Sequence, residues 1–65
     1  MPSTVIRSFR YLAPEQQLEI EFTSGRRYRY LNVPADIAAA MRAAFSKGQY
    51  FNRHVRHHFT FLAAP

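Results

Sequence analysis

Sixty-five residues with a formal net charge of +5 and no cysteine make one small domain, because a chain of this length buries only about 60% of the surface its unfolded form exposes and its core rarely supplies more than ~3–5 kcal/mol. The lack of cysteine excludes disulfides, thiolate zinc sites, thiol catalysis and redox switching. Met1-Pro2-Ser3-Thr4-Val5-Ile6-Arg7 holds no apolar run of signal-peptide length and nothing further on approaches a membrane span, so the expectation is a soluble cytoplasmic protein with no membrane partner.

Nine Lys plus Arg stand against four Asp plus Glu, and eight of the nine are Arg. Guanidinium forks bind phosphate or carboxylate oxygens bidentately and stack on bases or aromatic rings. An anionic partner fits that bias, as does the plainer reading that the charge keeps a tiny domain in solution.

Val5 to Leu12 mixes β-branched, aromatic and Arg residues without a helical period and reads as a first strand, with Arg7 and Arg10 on opposite faces by parity. Ala13-Pro14-Glu15-Gln16 breaks it, since Pro14 cannot donate to a ladder. In the next strand Leu18, Ile20 and Phe22 alternate with Glu19, Glu21 and Thr23, the period of a half-buried strand. A three-residue loop, Thr23-Ser24-Gly25, with Gly25 in the left-handed conformation, sets Phe22 against Arg26. Ile20 then faces Tyr28 and Leu18 faces Tyr30 on one side, while Glu21 meets Arg27 and Glu19 meets Arg29 on the other. A two-residue loop scrambles both faces.

Pro34 suits a first helical position and Asp36 the first turn, where the helix dipole favours negative charge. Ile37, Ala40, Met41, Ala44 and Phe45 recur at helical spacing and form a stripe facing the sheet, which leaves Ala38, Ala39, Arg42 and Ala43 outside. Ser46 stands three residues before Gln49, the capping-box spacing, so a short helix starts after Ser46 and runs to about Val55. The tail His57-His58-Phe59-Thr60-Phe61-Leu62 alternates like a strand returning to the sheet, and residues 1–4 and 63–65 are expected to fray. The whole is a single α+β domain over residues 1–65: a three-stranded antiparallel meander, then one main and one short helix packed on one face, with the tail as a candidate C-terminal strand.

Tyr28-Arg29-Tyr30, then Asn32-Val33-Pro34, then Ser46-Lys47-Gly48 with Tyr50-Phe51-Asn52, resembles the KTSC domain family over about Val5 to Val55. That family is marked by a central Tyr-x-Tyr and occurs both at the C-terminus of some lysyl-tRNA synthetases and as small stand-alone bacterial proteins. The resemblance implies a domain of unestablished function for which RNA binding has been suggested, through association with the synthetase.

Tyr28 and Tyr30 fit two roles, stacking platforms for bases and core residues beneath the helix. Their sharing a face with Leu18, Ile20 and Phe22 favours the core. Arg27 and Arg29 are expected to pair with Glu21 and Glu19. The cations left without acidic partners supply the candidate nucleic-acid-binding residues Lys47, Arg53, Arg56, His57 and Arg10. His54 and His58 have the i,i+4 spacing of metal ligands, but further ligands are scarce, and a His54, His57 and Lys47 cluster for RNA cleavage needs a pocket that a thin core does not supply. No catalytic residue, metal or cofactor is therefore assigned. The expected role is non-catalytic binding of structured, tRNA-like RNA through phosphates, the alternative being an assembly module that dimerises through the alanines on the outer face of helix one.

Overall fold

The computed structural model describes residues 6–64. Along the chain it forms β1 (Ile6–Leu12), a 3-10 turn (Ala13–Glu15), β2 (Gln17–Phe22), β3 (Arg27–Tyr30), α1 (Ala35–Ala43), α2 (Lys47–His54) and β4 (Phe61–Ala64). The strands make one antiparallel sheet in the order β1-β2-β3-β4. Val5 and residues 1–4, expected as the strand start and a frayed end, lie outside the described residues, as does residue 65.

The β2–β3 loop sets the rest. Gly25 takes φ +95°, its N–H donates to the Phe22 carbonyl at 2.9 Å, and the Phe22 N–H donates to the Arg26 carbonyl at 2.9 Å. This is the three-residue loop closed by a left-handed glycine. Its register pairs Leu18 with Tyr30, Glu19 with Arg29, Ile20 with Tyr28 and Glu21 with Arg27, so the apolar residues share one face and the charges the other.

β1 departs from its parity. The register shifts between Ile6 and Ser8, and this bulge brings Arg7 round to the face of Arg10 instead of the opposite one. Arg7 reaches Glu21 at 4.0 Å and Arg10 reaches Glu19 at 2.9 Å. An extra residue in one strand resets the alternation beyond it, which reverses the expectation for these two arginines.

Both helices cover the apolar face, where Leu18, Ile20, Tyr30, Val33, Ala38, Met41, Phe51 and Val55 form the buried core. Burying side chains of this kind contributes about 1.5–3 kcal/mol each before conformational entropy is set against it. Asn32 makes the turn from β3 into α1 at φ +58°, a conformation Asn tolerates better than most residues. Pro34 is the N-cap of α1, one position earlier than its expected place as first helical residue.

The inward stripe of α1 is not the expected one. Ala38 and Met41 are buried, whereas Ala40 is exposed and Phe45 is fully exposed at 106%. With alanine at most positions the helix has little amphipathic contrast, and its rotation follows from seating Met41 on the sheet. Phe45 escapes because the helix ends at Ala43 and Ala44 turns to extended backbone, ψ 142°. Burial of Ala38 also leaves only Ala39 and Ala43 of the outer alanine face.

Ser46 caps α2 as its spacing indicates, its hydroxyl accepting from the Gln49 N–H at 3.3 Å, an interaction of about 1 kcal/mol. The Tyr50 hydroxyl donates to the Ile37 carbonyl at 3.2 Å and ties the helices together. The tail does return to the sheet, later than its alternation suggested: residues 57–59 form a turn and a bend, and Phe61–Ala64 pairs with β3. Ala63 and Ala64, expected to fray, instead lie opposite Tyr28 and Arg27.

Candidate functional site

The open face of the sheet sets four arginines around two glutamates. Glu19 takes the Arg10 guanidinium at 2.9 Å and the Arg29 guanidinium at 2.9 Å, while Glu21 lies 3.9 Å from Arg27 and 4.0 Å from Arg7. Hydrogen bonds from Arg10 and then Arg29 hold the Glu19 carboxyl below its ordinary range, against the opposing effect of desolvation. A shallow depression of about 420 Å³ lies over these residues. Its two carboxylates are each shared by two arginines, so it has little to offer a cation and keeps a net positive charge.

The five residues nominated from the sequence are not all brought together. Arg10 is on this open face, paired with Glu19. Lys47 lies at the start of α2, where its ammonium donates to the carbonyls of Arg42 at 3.0 Å and Ala44 at 2.9 Å. It thereby supplies donors to carbonyls that the end of α1 leaves without intrahelical partners. Arg53, Arg56 and His57 sit at the other end of α2 and just beyond it. Arg53 is exposed and, among the described residues, forms no side-chain hydrogen bond or ion pair. Arg56 is also exposed, and its guanidinium donates to the Asn52 side-chain oxygen at 3.3 Å.

The histidines do not converge on a metal. His54 ends α2 and packs on Tyr50 with ring centroids 4.6 Å apart. His58 lies beyond the helix, its Nε2 3.0 Å from the Arg53 carbonyl. No group of three His, Cys, Asp or Glu among the described residues is placed to hold a metal ion.

Arg56 and His57 border an open cleft of about 700 Å³ between the β2–β3 loop, β3, β4 and the end of α2. Its walls are aromatic. Phe22, Tyr28, Tyr30, Phe51 and Phe61 form a continuous cluster, with centroids 5.6 Å apart for Phe22–Tyr28, 5.0 Å for Tyr28–Phe61 and 5.4 Å for Tyr30–Phe51. Such edge-to-face pairs hold one another in fixed orientations. Arg26 adds a third basic residue, and no acidic residue lines the cleft.

The tyrosines divide by role. Tyr11 and Tyr50 donate their hydroxyls to the carbonyls of Val33 and Ile37. Tyr28 and Tyr30 line the cleft, and among the described residues their hydroxyls make no hydrogen bond. Burial raises the Tyr30 hydroxyl above its ordinary range, and the nearby positive charge of Arg56 partly offsets it. Tyr30 is a core residue at 3% exposure, as expected, while Tyr28 is only half-buried. Assigning both to the core alone overlooked the cleft, because Phe61 arrives from a strand whose register the sequence does not display. A hint lay in the hairpin, which sets Arg26 beside Phe22.

The KTSC domain family model matches residues 2–59. Over 58 residues the chain is 41% identical to a lysine–tRNA ligase of Nostoc punctiforme, a match spanning 89% of this chain and 10% of that enzyme. Over 53 residues it is 42% identical to an uncharacterized protein of Stutzerimonas stutzeri, spanning 82% of this chain and 75% of the relative. The chain thus corresponds to most of a small relative and to a small fraction of the ligase. The crystal structure of a KTSC domain protein from Yersinia pestis matches with a TM-score of 0.90 at 29% identity, covering 100% of this chain and 90% of that one. With the family model spanning nearly the whole chain and the fold matching that of a solved member, this protein belongs to the KTSC domain family.

Proposed function

We propose that the domain is a non-catalytic module that binds structured, tRNA-like RNA in the cytoplasm through backbone phosphates. The observation that carries this reading is the partition of charge. Two of the four acidic residues, Glu19 and Glu21, are engaged by arginines on the open sheet face. Arg26, Arg53, Arg56 and His57 belong to the opposite half of the domain, around the hairpin loop and the end of α2, without an acid among the cleft residues. Uncompensated guanidinium groups are phosphate ligands. A lysine–tRNA ligase among the relatives is consistent with RNA as the source of those phosphates. Lys47 and Arg10 contribute less, their charged groups being held at α1 and Glu19.

The test is a salt titration against tRNA, duplex RNA and single-stranded DNA. Each phosphate contact made releases counterions and steepens the dependence of affinity on salt, so Arg53→Ala and Arg56→Ala should each weaken binding across RNA sequences and reduce the slope by about one contact. Absence of affinity for any nucleic acid at low salt refutes the reading. The RNA should be recovered uncut, and cleavage lost in His54→Ala or His57→Ala would refute the non-catalytic part.

A second reading, self-association, is favoured by β4. This edge strand is bonded on one side to β3 and carries Phe61 and Leu62, 47% and 54% exposed. An apolar edge of this kind templates further strand pairing. Sedimentation across a concentration series tests it, a monomer at all concentrations being the refuting result.

A further inference from the structure

We infer that the cleft between β3, β4 and the end of α2 is a specific site for one unpaired nucleotide, with the base against Phe61 and the phosphate on Arg56 and Arg26. The inference rests on the RNA reading and deepens it, since phosphate contacts alone do not require such a cleft. Three features of the site together specify the ligand.

The first is an available aromatic surface. Phe61 is 47% exposed, yet its position is set by Tyr28 and Tyr30, with ring centroids at 5.0 Å and 5.3 Å. Planar rings held on a sheet are the platforms on which single-stranded bases stack, and bases inside a duplex are not accessible to them. The second feature is polar and directional. The hydroxyls of Tyr28 and Tyr30 lack hydrogen bonds among the described residues, while the other two tyrosines are satisfied by backbone carbonyls. A hydroxyl can donate and accept, which suits the mixed edge of a base or a ribose. The third is charge: Arg26, Arg56 and His57 line the same space with no carboxylate among the lining residues. A ligand with a planar face, a hydrogen-bonding edge and an adjacent negative charge is a nucleotide, and about 700 Å³ lies within the ~300–1,000 Å³ typical of ligand pockets.

The experiment compares one hairpin RNA in two forms, blunt-ended and carrying a few unpaired nucleotides at its 3′ end, by fluorescence anisotropy with the full chain. Stacking of a single base should make the tailed form bind about tenfold more tightly. Phe61→Leu and Tyr28→Leu, which keep apolar volume but remove the ring, should abolish that preference and leave blunt-end affinity in place. Arg53→Gln, outside the cleft, should weaken both forms alike and preserve the ratio. Arg56→Gln, an exposed change that does not threaten folding, should reduce the ratio as well as the affinity. Equal binding of the two RNAs by the wild type overturns the nucleotide site while leaving phosphate binding intact. Binding of neither overturns the RNA reading and this inference with it. Capture of an acidic aromatic peptide with no preference for the tailed RNA would assign the cleft to a protein partner and overturn the inference.

Discussion

Replacing Gly25 by valine should expose how much the domain depends on one backbone conformation. A Cβ built at this position meets nothing within 4 Å, so steric collision with neighbours contributes no part of the cost. What remains is φ +95°, outside the narrow left-handed region open to L-residues and worst for a β-branched side chain. Strain of this kind costs about 1–3 kcal/mol, partly offset by about 0.4–1 kcal/mol from the lower entropy of the unfolded chain without glycine. A net loss of about 1 kcal/mol or more is a large share of the ~3–5 kcal/mol that a core of this size supplies, and corresponds to a fall in Tm of about 4–8 °C. Urea denaturation followed by circular dichroism measures it, with Gly25→Asn as the control because asparagine tolerates positive φ. Asn should lose markedly less than Val. A valine variant as stable as wild type, or an asparagine variant just as damaged, would show that the loop does not depend on the left-handed residue.

Two phenylalanines, one in the connection between the helices and one within α2, should behave in opposite ways. Phe51→Ala removes a ring that is 1% exposed and should cost about 3–5 kcal/mol, enough to leave the domain largely unfolded, whereas Phe45→Ala at 106% exposure should change stability by under about 0.5 kcal/mol. Similar denaturation midpoints for the two would refute the observed end of α1. Lys47→Ala removes the ammonium from the carbonyls of Arg42 and Ala44 and should cost roughly 1 kcal/mol without changing the salt slope of RNA binding. Unchanged stability with a shallower slope would make Lys47 a phosphate ligand instead. Glu19 has its pKa lowered on folding, so its ionised form stabilises the fold above the ordinary glutamate range and that contribution is lost as pH falls through the depressed value. Glu19→Gln should therefore be less stable than wild type at neutral pH, by under about 1 kcal/mol at this solvent-facing, partly buried site, and the difference should close in acid. A difference that grows on acidification would contradict the ion-pair assignment.

Local rules carried the hairpin and the short helix. Gly25 after Thr23-Ser24 admits one loop whose register sorts Glu19, Glu21, Arg27 and Arg29 from Leu18, Ile20, Tyr28 and Tyr30, and Ser46 with Gln49 marks a helix start by a hydrogen bond spanning three residues. Each depends on neighbours in sequence, so it is legible without the fold. The features that were misread depend on residues distant in sequence. Alternation cannot reveal the β1 bulge that turns Arg7 onto the face of Arg10, because an inserted residue preserves composition while reversing parity. Alanines at nearly every turn of α1 left its rotation to Met41 and the sheet beneath it, and the end of that helix at Ala43 released Phe45. The cleft needed the whole fold: Arg26 from a loop, Tyr28 and Tyr30 from a central strand, Arg56 and His57 from beyond a helix, and Phe61 from the tail meet only when β4 docks on β3, and that pairing is chosen by tertiary packing.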